Sequence, residues 1–235
     1  FQGFGDGDVI GDFAVNGGHL VVTDTACVTN DDSGRSALTI NGGLVEIGTL
    51  EVWSGDVRHH AGDVVADEVL FDPLGSTTGT YQLQGGSLTA GEVTMLDRGD
   101  LFEQSAGTHI CQGRLFVADG ACYSIWGGRM DANEILVTGE GQLTIRGAHP
   151  TITAERLRLT ETGLFESAIT FTGLAPIEVE TEAIVRGTWT VRDEKALLGR
   201  YPVVLADESL DVDFETVTLP GDDWYWGVED KLLWV

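Results

Sequence analysis

Several residue groups in this 235-residue chain have the types and spacing that bear on chemistry. Near the start, GDGDVIGD offers Asp6, Asp8 and Asp12 at alternating spacing. Hard cations take carboxylate and carbonyl oxygens, so these three are the candidate calcium ligands, although the twelve-residue carboxylate loop with its terminal Glu is incomplete. A less regular acidic set follows at Asp222, Asp223 and Asp230. Arg58, His59 and His60 would seed a metal or polysaccharide site. Adjacent side chains on a strand point to opposite faces, however, so one histidine is expected in the core and the other in solvent. Cys27, Cys111 and Cys122 form no CxxC pair and lie too far apart for a metal knuckle. They read as small buried apolar side chains, with a Cys111–Cys122 disulfide as the alternative. No G-x-S-x-G, H-E-x-x-H or phosphate-binding glycine loop is present.

The elements that hold these residues are set by an internal repeat. Paired glycines stand at Gly17-Gly18, Gly42-Gly43, Gly85-Gly86 and Gly127-Gly128, and the last two steps are close to two periods of 21 residues. Copies from Thr80 onward open with Tyr81, Phe102 or Tyr123 and reach a small pair at the sixth and seventh positions, where Ala106-Gly107 supplies the missing one. Apolar residues alternate over three or four positions (Leu88 and Ala90; Val93 and Met95) before Gly or Asp interrupts them. That pattern is a strand signal, and no segment carries a convincing helical period. Short strands recurring about every seven residues predict an all-β, right-handed parallel β-helix, a β-solenoid of about 21 residues per rung. Stacking buries each rung's inward face, and glycine serves the corners, where a Cβ would obstruct the neighbouring backbone. Glu178, Glu180 and Glu182 are expected on one solvent face, where charge discourages edge pairing.

The repeat is expected over residues 1–187, with a C-terminal β cap over 188–235. Aromatics gather at Trp189, Trp224, Tyr225, Trp226 and Trp234. They either pack onto the last rung or form a contact surface for a neighbouring subunit or for sugar rings. Trp224, Tyr225, Trp226 and Trp234 are the candidate interaction surface. A polysaccharide-cleaving β-helix would cluster carboxylates, alone or with Arg or Lys, on one face of adjacent rungs. Asp97, Arg98, Arg129 and Asp131 do not share one repeat position, so the chain reads as non-enzymatic.

Composition narrows the partners. Lys+Arg 13 against Asp+Glu 38 gives a net charge of −25. Nucleic acid and anionic membrane surfaces are therefore excluded as partners. Glycine fills 32 positions, roughly twice its average share. No run approaches the ~18 apolar residues of a membrane span. The chain opens at Phe1 without a charged and then apolar leader, so a targeting segment is expected to have been removed or to lie outside it.

The units Y-x-L-x-GG-S-L-T-A-G (81–91) and F-E-Q-S-A-G-T-H-I (102–110), with YPVVLAD (201–207) and FETVTLPGDDWYWGVEDKLLWV (214–235), resemble the autotransporter-type, GG-rich repeats of PEP-CTERM and planctomycete secreted surface proteins. The resemblance covers roughly residues 12–184 plus the closing segment. It implies an exported bacterial β-helical protein of the cell surface or extracellular matrix, structural or adhesive, without a catalytic site. No sorting tail follows Val235, and on that ground membrane anchoring is not expected. Repeats that begin almost at Phe1 suggest assembly into a fibre or coat. The expected partners are further copies of the chain or surface glycans, and no cofactor is expected, with calcium as the one candidate. The alternative is a carbohydrate-binding or polysaccharide-cleaving β-helix.

Overall fold

The computed structural model describes residues 11–29, 36–71 and 77–235 in full and residues 7–9 by their backbone. Every helix or strand among them is a strand, so none is a helix able to cross a membrane. The strands stack in parallel as a β-solenoid of about 8 turns, with roughly 22 residues per turn.

One coil shows how the sequence builds the rest. Thr80–Leu83 and Ser87–Met95 alternate inward and outward side chains, with Tyr81, Leu83, Leu88, Ala90, Val93 and Met95 all fully buried. The inward positions skip from Ala90 to Val93 because the chain turns a corner at Gly91, where a Cβ would lie 2.3 Å from the Asp67 carbonyl oxygen. A second corner falls at Gly85-Gly86, and Gly86 has φ +74°. The third is the turn closed by the Asp100 N–H on the Asp97 carbonyl at 3.1 Å. Each rung is thus three short sides joined at small or acidic residues.

Register then stacks like upon like. Thr80 pairs with Leu101 and Leu101 with Cys122, while Ser87 pairs with Thr108 and Thr108 with Arg129. One interior column runs Tyr81, Phe102, Tyr123, with ring centroids 4.8 and 4.7 Å apart and planes within 1° and 17° of parallel. Burying each such ring contributes roughly 1.5–3 kcal/mol. A second column runs Leu88, His109, Met130. The carboxylate of buried Asp100 is held by the Gly79 and Asp97 N–H groups, each at 3.1 Å. Outside, Arg114, Glu134, Arg156 and Glu182 succeed one another on neighbouring rungs, and Arg114 also reaches Glu92 at 2.8 Å. Opposite charges at one rung spacing support the pairing.

The strand Ile177–Glu194 runs through position 188, where the cap was expected to begin. Parallel stacking continues onto Ser209–Thr218, whose outward side chains include Asp211, Asp213 and Glu215. Closure is antiparallel: Leu232–Trp234 pairs on one side with Pro202–Ala206 and on the other with Gly227–Glu229. A β cap therefore ends the coil.

Candidate functional site

The groups with the most chemical promise are dispersed or consumed by packing. His59 is fully buried and His60 exposed, as the strand alternation predicts. His59 Nδ1 lies 3.1 Å from the Tyr81 hydroxyl and Nε2 lies 3.1 Å from the Gly62 carbonyl oxygen. Burial lowers its pKa. His109 is likewise a core residue. Burial holds it at about 3, so it is neutral at physiological pH. No disulfide links the cysteines: Cys111 points into the core and Cys122 sits half-buried on the outward face of its strand, on opposite sides of the wall. Burial pushes the Cys111 thiol up to about 11, which makes it a poor nucleophile.

The acidic candidates do not converge either. Asp6 and the side chain of Asp8 lie outside the described residues, and Asp12 is exposed at the start of its strand. Among the described residues no group of three or more His, Cys, Asp or Glu side chains is placed to hold a metal ion. Arg98 leaves its corner to meet Glu140 at 3.0 Å, whereas Arg129 meets Asp131 at 2.7 Å on a flat side. The latter pair borders an open groove of about 580 Å³ with Thr153, Glu155 and Glu180. Glu178, Glu180 and Glu182 are all exposed.

The four aromatic candidates separate into two roles. Trp226 packs edge-on against Trp189 and Phe214, at 6.1 and 5.7 Å between centroids, and so covers a second ring stack of Phe165, Trp189 and Phe214. Trp189 is fully buried there and donates its indole N–H to Ser167 Oγ at 3.1 Å. Trp224, Tyr225 and Trp234 instead line a groove of about 320 Å³ with Leu197 and Leu198. Asp193 and Asp223 are the carboxylates on its wall.

Local structure fixes this groove on two sides. The Asp193 carboxylate accepts the Ala196 N–H at 2.8 Å and so shapes the turn that presents Leu197 and Leu198. The Tyr201 N–H donates to the Val235 carbonyl at 2.7 Å, and the Val235 N–H returns a bond to the Tyr201 carbonyl at 3.0 Å. Trp234 lies across Gly227, where a Cβ would come within 2.8 Å of the indole. The Arg200 guanidinium stands 4.1 Å from a Trp234 ring centroid and pairs with Glu229 at 2.6 Å. Trp234 is therefore clamped, while Tyr225 remains 70% exposed and Leu198 wholly so.

Sequence reasoning placed the aromatics in the cap but missed Leu197, Leu198, Asp193 and Asp223 as their companions. The apolar pair within the loop after Glu194 was the available signal. Comparison with known proteins returns no matching family model, no similar curated protein and no similar solved structure.

Proposed function

We propose that the chain is a structural, adhesive β-solenoid module of an exported bacterial protein, and that the cap groove is its contact surface. One observation carries this reading. Of the large apolar side chains exposed among the described residues, Leu197, Leu198 and Tyr225 line the groove and Trp226 and Val228 lie elsewhere in the cap, while the others are scattered over the coils. Clustered exposed apolar surface beside charge is the usual mark of an interaction site. The stacked wall supplies a rigid support for it, and the acidic edge at Asp211, Asp213 and Glu215 disfavours pairing with another strand at that end.

Retention of intact bacterial cells and their shed polysaccharide on protein-coated beads tests the reading. Wild-type beads are expected to retain them, and Tyr225→Ala beads to lose most of that capacity. Equal retention by both would refute the assignment of the groove. Self-association belongs to the same reading, because Phe13 in the first long strand is 43% exposed. Light scattering that gives only monomers across a wide concentration range, with and without calcium, would remove that part.

A further inference from the structure

We infer that the cap groove takes a neutral sugar ring, seated on Tyr225 and the Leu197-Leu198 pair with its hydroxyls donating to Asp193 and Asp223. This rests on the reading of the cap as a contact surface and names what it contacts.

The lining selects the ligand by exclusion. Ionised carboxylates only accept hydrogen bonds, so the ligand must bring donors. Among the described residues no Lys or Arg lines the groove, the neighbouring Arg200 is already paired with Glu229 at 2.6 Å, and the chain carries −25 overall, so an anionic sugar would meet repulsion without a free cation to offset it. A quaternary ammonium would need several open aromatic faces around it. Here Arg200 already covers Trp234 at 4.1 Å, Gly227 backs the same indole, and Trp226 is turned toward Trp189 and Phe214. What remains is the exposed Tyr225 ring beside half-buried Trp224, which packs on the core, with an aliphatic shelf and two acceptors. A pyranose matches that set, with an apolar C–H face for the ring and hydroxyl donors around its rim. The volume of about 320 Å³ lies at the small end of the range for ligand sites, roughly 300–1,000 Å³. It suits one ring, free or within a longer chain that leaves through the open side.

The test is a printed array of neutral and anionic glycans, followed by titration of the best neutral tetrasaccharide against tryptophan emission. Cellotetraose, mannotetraose, maltotetraose and N-acetylchitotetraose form the solution panel, with tetragalacturonate as the anionic control. Saturable binding of a neutral member is expected, with no binding of tetragalacturonate. Tyr225→Ala and Asp223→Asn should each weaken it about tenfold or more while leaving the melting temperature unchanged. The inference is overturned if no neutral glycan binds, if tetragalacturonate binds as well as they do, or if both variants bind like wild type. The bead assay separates the two levels. Cell retention that depends on Tyr225 without neutral-sugar binding keeps the contact surface and replaces the sugar by a protein partner. Sugar binding that depends on Tyr225, with retention that does not, keeps the sugar and removes the adhesive role.

Discussion

The Nδ1 of His109 lies 2.8 Å from the hydroxyl of Tyr123, which belongs to the next rung, in a fully buried interior. The hydroxyl gives its own proton to Gln104 Oε1 at 2.9 Å, and Gln104 Nε2 donates to the Arg129 carbonyl at 2.8 Å. With that proton committed, Nδ1 must be the donor to Tyr123, and Nε2 is left with a lone pair. Among the described residues no hydrogen-bond partner meets Nε2. The relay ties two successive rungs together and leaves one polar atom unsatisfied.

Acid should therefore weaken the fold through His109. The unfolded chain binds a proton at His109 near pH 6.5, whereas the folded chain resists it down to about 3. Between those values the unfolded state holds more protons, so stability falls as pH falls. It is fully present above 6.5, and the loss reaches about 2 kcal/mol by pH 5. His59, also lowered by burial, adds in the same direction. Denaturant unfolding at pH 7, 6 and 5 reads the slope, and His109→Leu should flatten it; parallel slopes for the two proteins would contradict the account.

At neutral pH the members of the relay should differ in cost. His109→Leu places leucine in a column whose neighbours are Leu88 and Met130 and removes the unsatisfied nitrogen. It is expected to be near neutral or slightly stabilising, since Tyr123 keeps Gln104. Tyr123→Phe strands both His109 Nδ1 and Gln104 Oε1 in the core, at a cost of about 1–3 kcal/mol. Chemical denaturation of the two variants should give that order.

Corner glycines should be sharply intolerant. Gly128 has φ +81°, and a Cβ there would lie 2.3 Å from the Gly107 carbonyl oxygen. Gly128→Ala must strain the turn and push neighbouring rungs apart, with a loss of more than about 1 kcal/mol. Gly221, with nothing within 4 Å of the same atom, is the control, and Gly221→Ala should melt within a degree or so of wild type.

Trp226 and Tyr225 are adjacent in sequence and should respond in opposite ways. Trp226→Ala uncovers Trp189 and Phe214 and is expected to cost about 2 kcal/mol, less than a fully buried aromatic because Trp226 is 38% exposed. Its emission should shift to the red as water reaches Trp189. Tyr225→Ala should leave melting unchanged. A destabilised Tyr225→Ala protein would make that ring part of the cap's packing.

Much of the coil was legible in the sequence. Alternation at Leu88-Ala90 and Val93-Met95 named the inward residues, and Gly85-Gly86 and Gly127-Gly128 named corners, because both depend only on local backbone geometry. The opposed fates of His59 and His60 followed from the same rule. The partner of His109 did not, since Tyr123 reaches it only after the register between rungs is set. The roles of Trp224, Tyr225, Trp226 and Trp234 were illegible for a similar reason. They sit after the last repeat, and an antiparallel hairpin whose position no periodicity records turns Trp226 toward Trp189 and Phe214 and leaves Tyr225 in solvent.

Backbone hydrogen bonds in this wall run along the stack, from one rung to the next. Tension between the first long strand and the cap would thus load the rung boundaries in series and open them singly, as a zip opens. Each event would free one coil of roughly 22 residues, about 70–80 Å of extended chain. The molecule would then act as a shock absorber, yielding length in fixed instalments while the remaining coils keep their shape.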